Sequence, residues 1–354
     1  MSTKSTLGQF YTTNYEYILK DMKIPHHVHR IVEPFAGNGD LIPFIKSQGD
    51  YEIDCYDIDP KQDFITWRDT LNDPPLYRDL FVITNPPFLA RNKSSCKEIY
   101  DRYKMNDLYK CFLAGLIEQG CVGGIVILPV NFFCSIRKMD VELRRRFLEE
   151  FRILRVNLFE ERVFDDTSCT VCSMQFERRI KTEDTGSDDV EDDVIDMVVY
   201  PSGDNIDMKL NAENNYSIGG EVYNLPGSEF YKVERATHKT KHIENMTNIN
   251  LKCIDDSPER RIELYIVPDG KRCIDLTANC TARGYATLVI TPRISKESEN
   301  ELVHRFNVYL NTQREKYNSM FLTNYRESKS ISRKRISFEL AFKICEKLLD
   351  EMEI

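Results

Sequence analysis

Ile31-Val32-Glu33-Pro34-Phe35-Ala36-Gly37-Asn38-Gly39-Asp40, continued by Leu41-Ile42-Pro43-Phe44-Ile45, reads as a strand, a glycine-bearing loop and the start of a helix. Gly37 and Gly39 permit a tight turn and let backbone approach a ligand closely. The third glycine of a dinucleotide fingerprint is absent, and no Gly-Lys-Ser/Thr follows as in a P-loop. The strand ends on an acid, Glu33, which argues against phosphate and for a ligand bearing a positive amine or hydroxyls.

Two further strand ends repeat the theme. Ile53-Asp54-Cys55-Tyr56 leads to Asp57-Ile58-Asp59-Pro60, and a carboxylate there can accept from ribose hydroxyls. Asp69-Thr70 follows Phe64-Ile65-Thr66-Trp67-Arg68. Singly, each Asp could equally be a helix cap or turn residue. In this order and spacing they favour an adenosine-containing cofactor with a cationic end.

Next, Leu80-Phe81-Val82-Ile83-Thr84 reads as a buried strand and runs into Asn85-Pro86-Pro87-Phe88. The prolines stiffen the backbone and lack N–H groups, Asn85 offers an acceptor, and Phe88 offers a flat face. Such a site suits a planar ring carrying an exocyclic NH2 group. Alone, the tetrapeptide would be read as a rigid turn with a buried Phe; its companions reverse that.

Together these motifs resemble S-adenosylmethionine-dependent DNA adenine-N6 methyltransferases of the gamma-type motif order, in which target recognition is C-terminal. Gly8-Gln9-Phe10-Tyr11-Thr12 resembles the N-terminal cofactor motif, and Glu33 to Gly39 the glycine motif. Asp57, with Ile58 after it, matches the ribose-binding position. Asp69, with Thr70 after it, matches the position that recognises the cofactor's adenine. Asn85 to Phe88 matches the catalytic motif, with Phe in place of the commoner Tyr, and Phe164 stands where the family carries a second aromatic near the target base. The resemblance covers roughly the first half of the chain. It implies an α/β fold: a doubly wound, Rossmann-like methyltransferase sheet, mostly parallel with one antiparallel strand, followed by an α+β target-recognition region. It also implies S-adenosyl-L-methionine as cofactor, no metal, double-stranded DNA as partner and a restriction-modification setting with a cognate endonuclease. The recognition sequence and oligomeric state stay open.

Composition agrees with a two-domain globular chain. Of 354 residues, 41% are hydrophobic and 30% charged. No run approaches membrane-helix length, and Met1-Ser2-Thr3-Lys4 begins no apolar signal core, so a cytoplasmic rather than secreted protein is expected. The 11 scattered cysteines suit a reducing compartment. Cys169-Thr170-Val171-Cys172 lacks a partner pair at zinc spacing and reads as structural. The net charge of −9 is unevenly spread: residues 229–354 carry +3 and the remainder −12, much of it between Glu183 and Asp196. That stretch, 183–197, is expected to be a loop or linker between a cofactor-binding domain, 1–182, and a recognition region, 198–354.

Strands are expected near 30–34, 52–57, 79–84, 123–129, 153–159 and 168–176, with helices over Asn14–Met22, Leu41–Ser47, Asp107–Gln119 and Val141–Phe151. This alternation implies the doubly wound sheet. The polar insertion Leu89–Asp107, with Arg91, Lys93, Lys97, Arg102 and Lys104, reads either as a solvated loop or as a cover for a flipped base that touches phosphates. Farther on, Ile218–Tyr223 and Tyr285–Ile290 look like strands, Glu299–Tyr317 like a helix, and Ser337 like the cap of a last helix with Leu340, Ile344 and Leu348 in the core.

The same site could serve a protein-glutamine or RNA-adenine methyltransferase. The former generally carries a helical domain before the glycine motif, whereas only about thirty residues precede it here. A non-catalytic DNA-binding subunit would be expected to show damage in the glycine loop or at Asn85, and neither is damaged. Replacing Asn85 by Ala is expected to abolish transfer and spare cofactor binding.

Overall fold

The strand and helix expected on either side of the glycine loop are both present in the computed structural model, which describes residues 8, 10–164, 169–180, 193–240, 242–255, 261–268, 284–327 and 332–352. The chain folds as two units, Met1–Tyr216 and Ser217–Ile354. The first contains α1 (Tyr15–Ile18), β1 (Arg30–Glu33), α2 (Ile42–Gln48), β2 (Glu52–Asp57), β3 (Thr66–Trp67), β4 (Phe81–Thr84) and α3 (Glu98–Tyr103). It continues through α4 (Leu108–Gln119), β5 (Gly123–Pro129), α5 (Asn131–Cys134), α6 (Lys138–Glu150), β6 (Phe151–Phe159), β7 (Val171–Arg178), β8 (Ile195–Tyr200) and β9 (Asp204–Met208).

These strands form one sheet in the order β3-β2-β1-β4-β5-β7-β6-β8-β9. β1 pairs in parallel with β2 and β4, and β4 with β5, while β7 runs antiparallel between β5 and β6. This is the doubly wound, mostly parallel sheet with an inserted antiparallel strand that the sequence implied. β4 and β5 are buried along their whole length, as central strands covered on both faces must be. Gly124 sits in β5 because a Cβ there would lie 2.5 Å from Val82 O on the neighbouring strand. The order reverses between β1 and β4, so the carboxyl ends of β1, β2 and β4 open on one crevice. Those ends carry Glu33, Asp57 and Thr84-Asn85.

Two expectations about this unit need correction. The cofactor-binding unit does not end at 182: part of the stretch expected as a linker enters β8, which pairs in parallel with β6, and β9 then pairs antiparallel with β8, a second antiparallel strand. Residues 183–192 of that stretch, and Ser168, lie outside the described residues. The helix expected over Asn14–Met22 is only α1: the chain leaves the helix at Leu19 and takes a φ of +61° at Asp21, and Ile18, Leu19 and Met22 are buried. The polar insertion contains α3 and is folded onto the unit.

Two buried networks brace α4 and α6. Lys110 Nζ donates to Asp140 Oδ1 at 2.6 Å, and Ser135 donates to the other Asp140 oxygen. Arg144 is fully buried and donates to the carbonyls of Phe132, Ser135 and Tyr216.

The second unit contains β10 (Lys232–Arg235), β11 (Met246–Lys252), β12 (Glu263–Ile266), β13 (Tyr285–Thr291), α7 (Lys296–Lys316), β14 (Thr323–Glu327), β15 (Ser332–Arg335) and α8 (Phe338–Asp350). Its antiparallel sheet has the order β10-β13-β11-β12; α7 packs on β11 and β12, and α8 on β10 and α7. Ser337 caps α8 by accepting from Leu340 N at 3.1 Å, and Leu340, Ile344 and Leu348 are buried. The strand expected over Ile218–Tyr223 is instead a 3-10 turn at Gly220–Asn224, entered through Gly219 at φ +65°.

Candidate active site

The glycine loop is held by the carboxylate that ends β2. Gly37 N donates to Asp57 Oδ2 at 2.8 Å, and Asp59 N donates to Asp57 Oδ1 at 2.8 Å. Asp57 is buried, so it fixes the loop's shape and also faces the crevice. Gly37 has φ +53°, and a Cβ there would stand 3.1 Å from the Tyr11 ring. Glu33, at the end of β1, is 1% exposed. Thr84 Oγ1 and Phe35 N donate to its Oε1, and its Oε2 is buried without a hydrogen-bond partner. Burial pushes its pKa up to about 8, with the neighbouring Asp57 and Asp40 adding to the rise. Thr70 donates to Pro34 O at 2.8 Å, tying the turn after β3 to the glycine loop.

Asn85 is oriented by the N-terminal segment. Its Nδ2 donates to Phe10 O at 2.9 Å and to Thr12 Oγ1 at 3.1 Å. Both amide hydrogens are thereby used, and Oδ1 is left buried with no partner. Phe88 N donates to Gly8 O at 2.9 Å, and the Phe88 ring stacks on Phe10 with centroids 5.7 Å apart, while Tyr109 meets it edge-on at 6.0 Å. The segment expected to bind cofactor therefore also holds the Asn-Pro-Pro-Phe motif.

These elements enclose a cavity of about 270 Å³. Of the predicted residues, Phe10, Tyr11, Thr12, Glu33, Phe35, Ala36, Gly37, Asp57, Ile58, Asp69, Thr70, Asn85 and Pro87 line it. Ile58, directly after β2, is 41% exposed and is among the lining residues. Pro34, Gly39, Pro86 and Phe88 stand beside the cavity in sequence and are not among its lining residues. Phe164 is 4% exposed and belongs to the hydrophobic core, so it does not stand in the cavity wall as the second aromatic. Gln9 lies outside the described residues.

The sequence did not assign Asp40, Leu41, Leu71, Asn72 or Leu89 to the site, nor Ser94, Ser95, Cys96, Ile99, Tyr100 and Leu108 from the insertion and the start of α4; all line the cavity. Asp40 closes the glycine loop and could have been counted from its position; the others depend on long-range folding. The insertion's cations are largely spent within the protein. Arg91 pairs with Asp101 at 2.9 Å, Lys97 donates to Arg91 O and Ser94 O, and Arg102 donates to Asn72 O at 3.1 Å. The acidic side chains of the lining are Glu33, which burial keeps protonated up to about pH 8, and Asp40, Asp57 and Asp69, and among the described residues that line it there is no Lys, Arg or His.

No protein-family model and no curated protein sequence matches the chain. Among solved structures it is similar to a modification subunit assigned to a type I restriction enzyme from Vibrio vulnificus, with 15% identity and TM-score 0.42, covering 57% of this chain and 49% of that one. It is also similar to the type I restriction-modification methyltransferase subunit from Streptococcus thermophilus, with 14% identity and TM-score 0.38, covering 58% and 51%. A chain of the DrdV–DNA complex gives 14% identity and TM-score 0.43, covering 71% and 35%. The chain spans about half the length or less of these solved chains. The sheet order and the antiparallel β7 are those of a Rossmann-like methyltransferase fold.

Proposed function

We propose that the chain moves the methyl of S-adenosyl-L-methionine to N6 of a flipped adenine in duplex DNA, within a restriction-modification system. One observation carries the reading: Asn85 has both amide hydrogens occupied by Phe10 and Thr12 and its carbonyl oxygen buried without a partner, in a cavity whose ionisable wall is acidic.

The donor set fits the cofactor. A phosphate-bearing nucleotide would meet the carboxylates of Asp40, Asp57 and Asp69 and no cation in the wall, an electrostatic mismatch. A ligand carrying an ammonium, a sulfonium and ribose hydroxyls offers what Asp40, Asp57 and Asp69 can accept, and a cationic group brought beside Glu33 would favour its ionised form. S-adenosylmethionine, when bound, supplies an electrophilic methyl on sulfur. Glu33 and Asp57 hold its cationic and ribose portions, and Asp69, Thr70 and Ile58 its adenine.

The chain's own contribution is positioning and hydrogen bonding. The lone pair of an aromatic amine is delocalised into the ring, so the nitrogen is a poor nucleophile. Asn85 Oδ1 and the Pro86 carbonyl accept its two hydrogens and favour a tetrahedral nitrogen. Placement of that nitrogen in line with the donor carbon supplies much of the remaining rate. The proton departs after transfer, once the nitrogen is cationic, so no strong base is required. Base pairing hides the amine within a duplex, and the base must leave the stack. Phe88 then serves as a face for it, on condition that it gives up or shares its stacking with Phe10. The second unit is the region for target recognition.

The test is transfer of tritiated methyl from S-adenosylmethionine to unmethylated duplex DNA, structured RNA and protein, with mapping of the modified base. Label in N6-methyladenine of duplex DNA is expected. Label confined to RNA or to glutamine would reassign the substrate, and no donor binding at all would refute the reading.

A further inference from the structure

The insertion between Asn85–Phe88 and α4 closes on the same cavity as the turn after β3. Ala90 bridges Asp107, Arg91 N donates to Asn106 O at 2.9 Å, and Tyr100 OH donates to Leu89 O at 2.9 Å, so its two ends are zipped together. At its tip, Lys97 donates to the carbonyls of Arg91 and Ser94, and Ser94 Oγ donates to Cys96 O at 2.7 Å. Arg102 fastens the insertion to Asn72 O. Three of the insertion's cations, Arg91, Lys97 and Arg102, thus help to shape a small loop, 94–96, which lines the cavity together with Asp69 and Asn72.

Cys96 is the sole exposed thiol among the nine cysteines described; Cys169 is half-buried and the other seven are buried. A single thiol would carry nothing alone. Here it shares its cavity with Glu33, a lining residue whose Oε2 is buried and has no hydrogen-bond partner, a second sign that a ligand belongs in this space.

We propose that residues 94–96 are a wall of the methyl-donor site and that Cys96 is a modification site, such that alkylation of this thiol and occupancy by the donor exclude one another. The inference rests on the donor reading of the cavity. With a maleimide, the Cys96 sulfur forms a bond to one alkene carbon, the C=C π bond breaks, and the thiol proton ends on the other carbon. The adduct adds a ring to a cavity of only about 270 Å³.

The experiment uses the full chain and N-ethylmaleimide, with adducts located by peptide mass spectrometry. Affinity for S-adenosylhomocysteine is measured separately by calorimetry. Cys96 is expected to react first, and saturating S-adenosylhomocysteine is expected to slow that reaction at least tenfold without slowing the reaction at Cys169. The singly modified protein should bind S-adenosylhomocysteine at least tenfold more weakly. In Cys96→Ser, whatever its own affinity, treatment with the reagent should leave that affinity unchanged. If S-adenosylhomocysteine binds and Cys96 reacts at an unaltered rate, residues 94–96 are not part of the donor wall. Protection by duplex DNA without donor would place the loop at the target instead, and overturns the proposal too. Failure of the unmodified protein to bind S-adenosylhomocysteine refutes the donor reading itself, a result the calorimetry separates from the other two.

Discussion

Glu33 allows a prediction whose size follows from its surroundings. Its carboxyl is 1% exposed, Thr84 and Phe35 donate to one oxygen, and the other has no partner. Burial moves its pKa from 4.5 to about 8. In the unfolded chain the group ionises near the lower value, in the folded chain near the higher. Between the two the folded state holds the extra proton, so raising the pH favours unfolding, and the effect levels off above about pH 8. Each pH unit in this window is worth about 1.4 kcal/mol. From about pH 6 to about pH 8, Glu33 should therefore remove roughly 2 kcal/mol of stability. For a unit of this size that corresponds to a fall in Tm of roughly 4–8 °C. Glu33→Gln retains an acceptor for Thr84 and Phe35 and cannot ionise. Thermal unfolding of both proteins, without donor and at constant ionic strength, should show the wild type losing ground to the variant across this window. Parallel curves would mean that Glu33 is solvated or already ionised in the folded chain, and the argument that burial holds a proton on it would fail.

Three other outcomes follow from the geometry. Asn85→Ala should abolish methyl transfer in the tritium assay and, contrary to what the sequence implied, should also weaken donor binding. It releases Phe10 O and Thr12 Oγ1, at roughly 0.5–1.5 kcal/mol per hydrogen bond, so calorimetry should show about a tenfold or greater loss. Asp57→Ala frees Gly37 N and Asp59 N from a charged acceptor worth roughly 1.5–3 kcal/mol per bond, and donor affinity should fall at least a hundredfold with only a modest change in fold by circular dichroism. Asp140→Ala strands the buried Lys110 ammonium and should cost about 3–5 kcal/mol in urea unfolding, whereas exposed pairs such as Arg305–Glu301 should cost under about 1 kcal/mol.

What could be read without coordinates was what local chain chemistry dictates. Ile31 to Ile45 announces a strand, a positive-φ turn and a helix through its own apolar run and glycines, although Asp57 and Thr70 then hold the loop from a distance. β5 is visible because a strand buried on both faces is a continuous apolar run. The site residues at strand ends were legible for the same reason: a doubly wound sheet gathers the ends of β1, β2 and β4 without further instruction. β8 and β9 were not, because Asp196 and Asp204 belong to an acidic composition that suggests solvent, while Asp196 is paired with Arg155 at 2.8 Å across the sheet. The insertion was legible only in part. Arg91, Lys97 and Arg102 have the composition of a phosphate-facing loop, and composition does not reveal that their partners are Asp101 and backbone carbonyls. Phe164 was placed by its distance along the chain from other motifs; packing put it in the core.

The direction of the Asn85 carboxamide joins these levels. An amide has two donors and an acceptor, and a free Asn in a crevice could present either to a ligand. Phe10 offers a carbonyl, which can only accept, so it draws the NH2 group towards the N-terminal segment and turns the oxygen inward. Leaving that oxygen and Glu33 Oε2 unpaired costs the unliganded fold roughly 1–3 kcal/mol each. An unpaired amide oxygen beside the carboxylates of Asp40, Asp57 and Asp69 favours ligands rich in N–H and cationic groups and disfavours phosphates. A donor-binding segment that also aims the catalytic amide couples the two halves of the site. Loosening Phe10–Thr12 should therefore lower the rate as well as the affinity, even with every residue of Asn85–Phe88 intact.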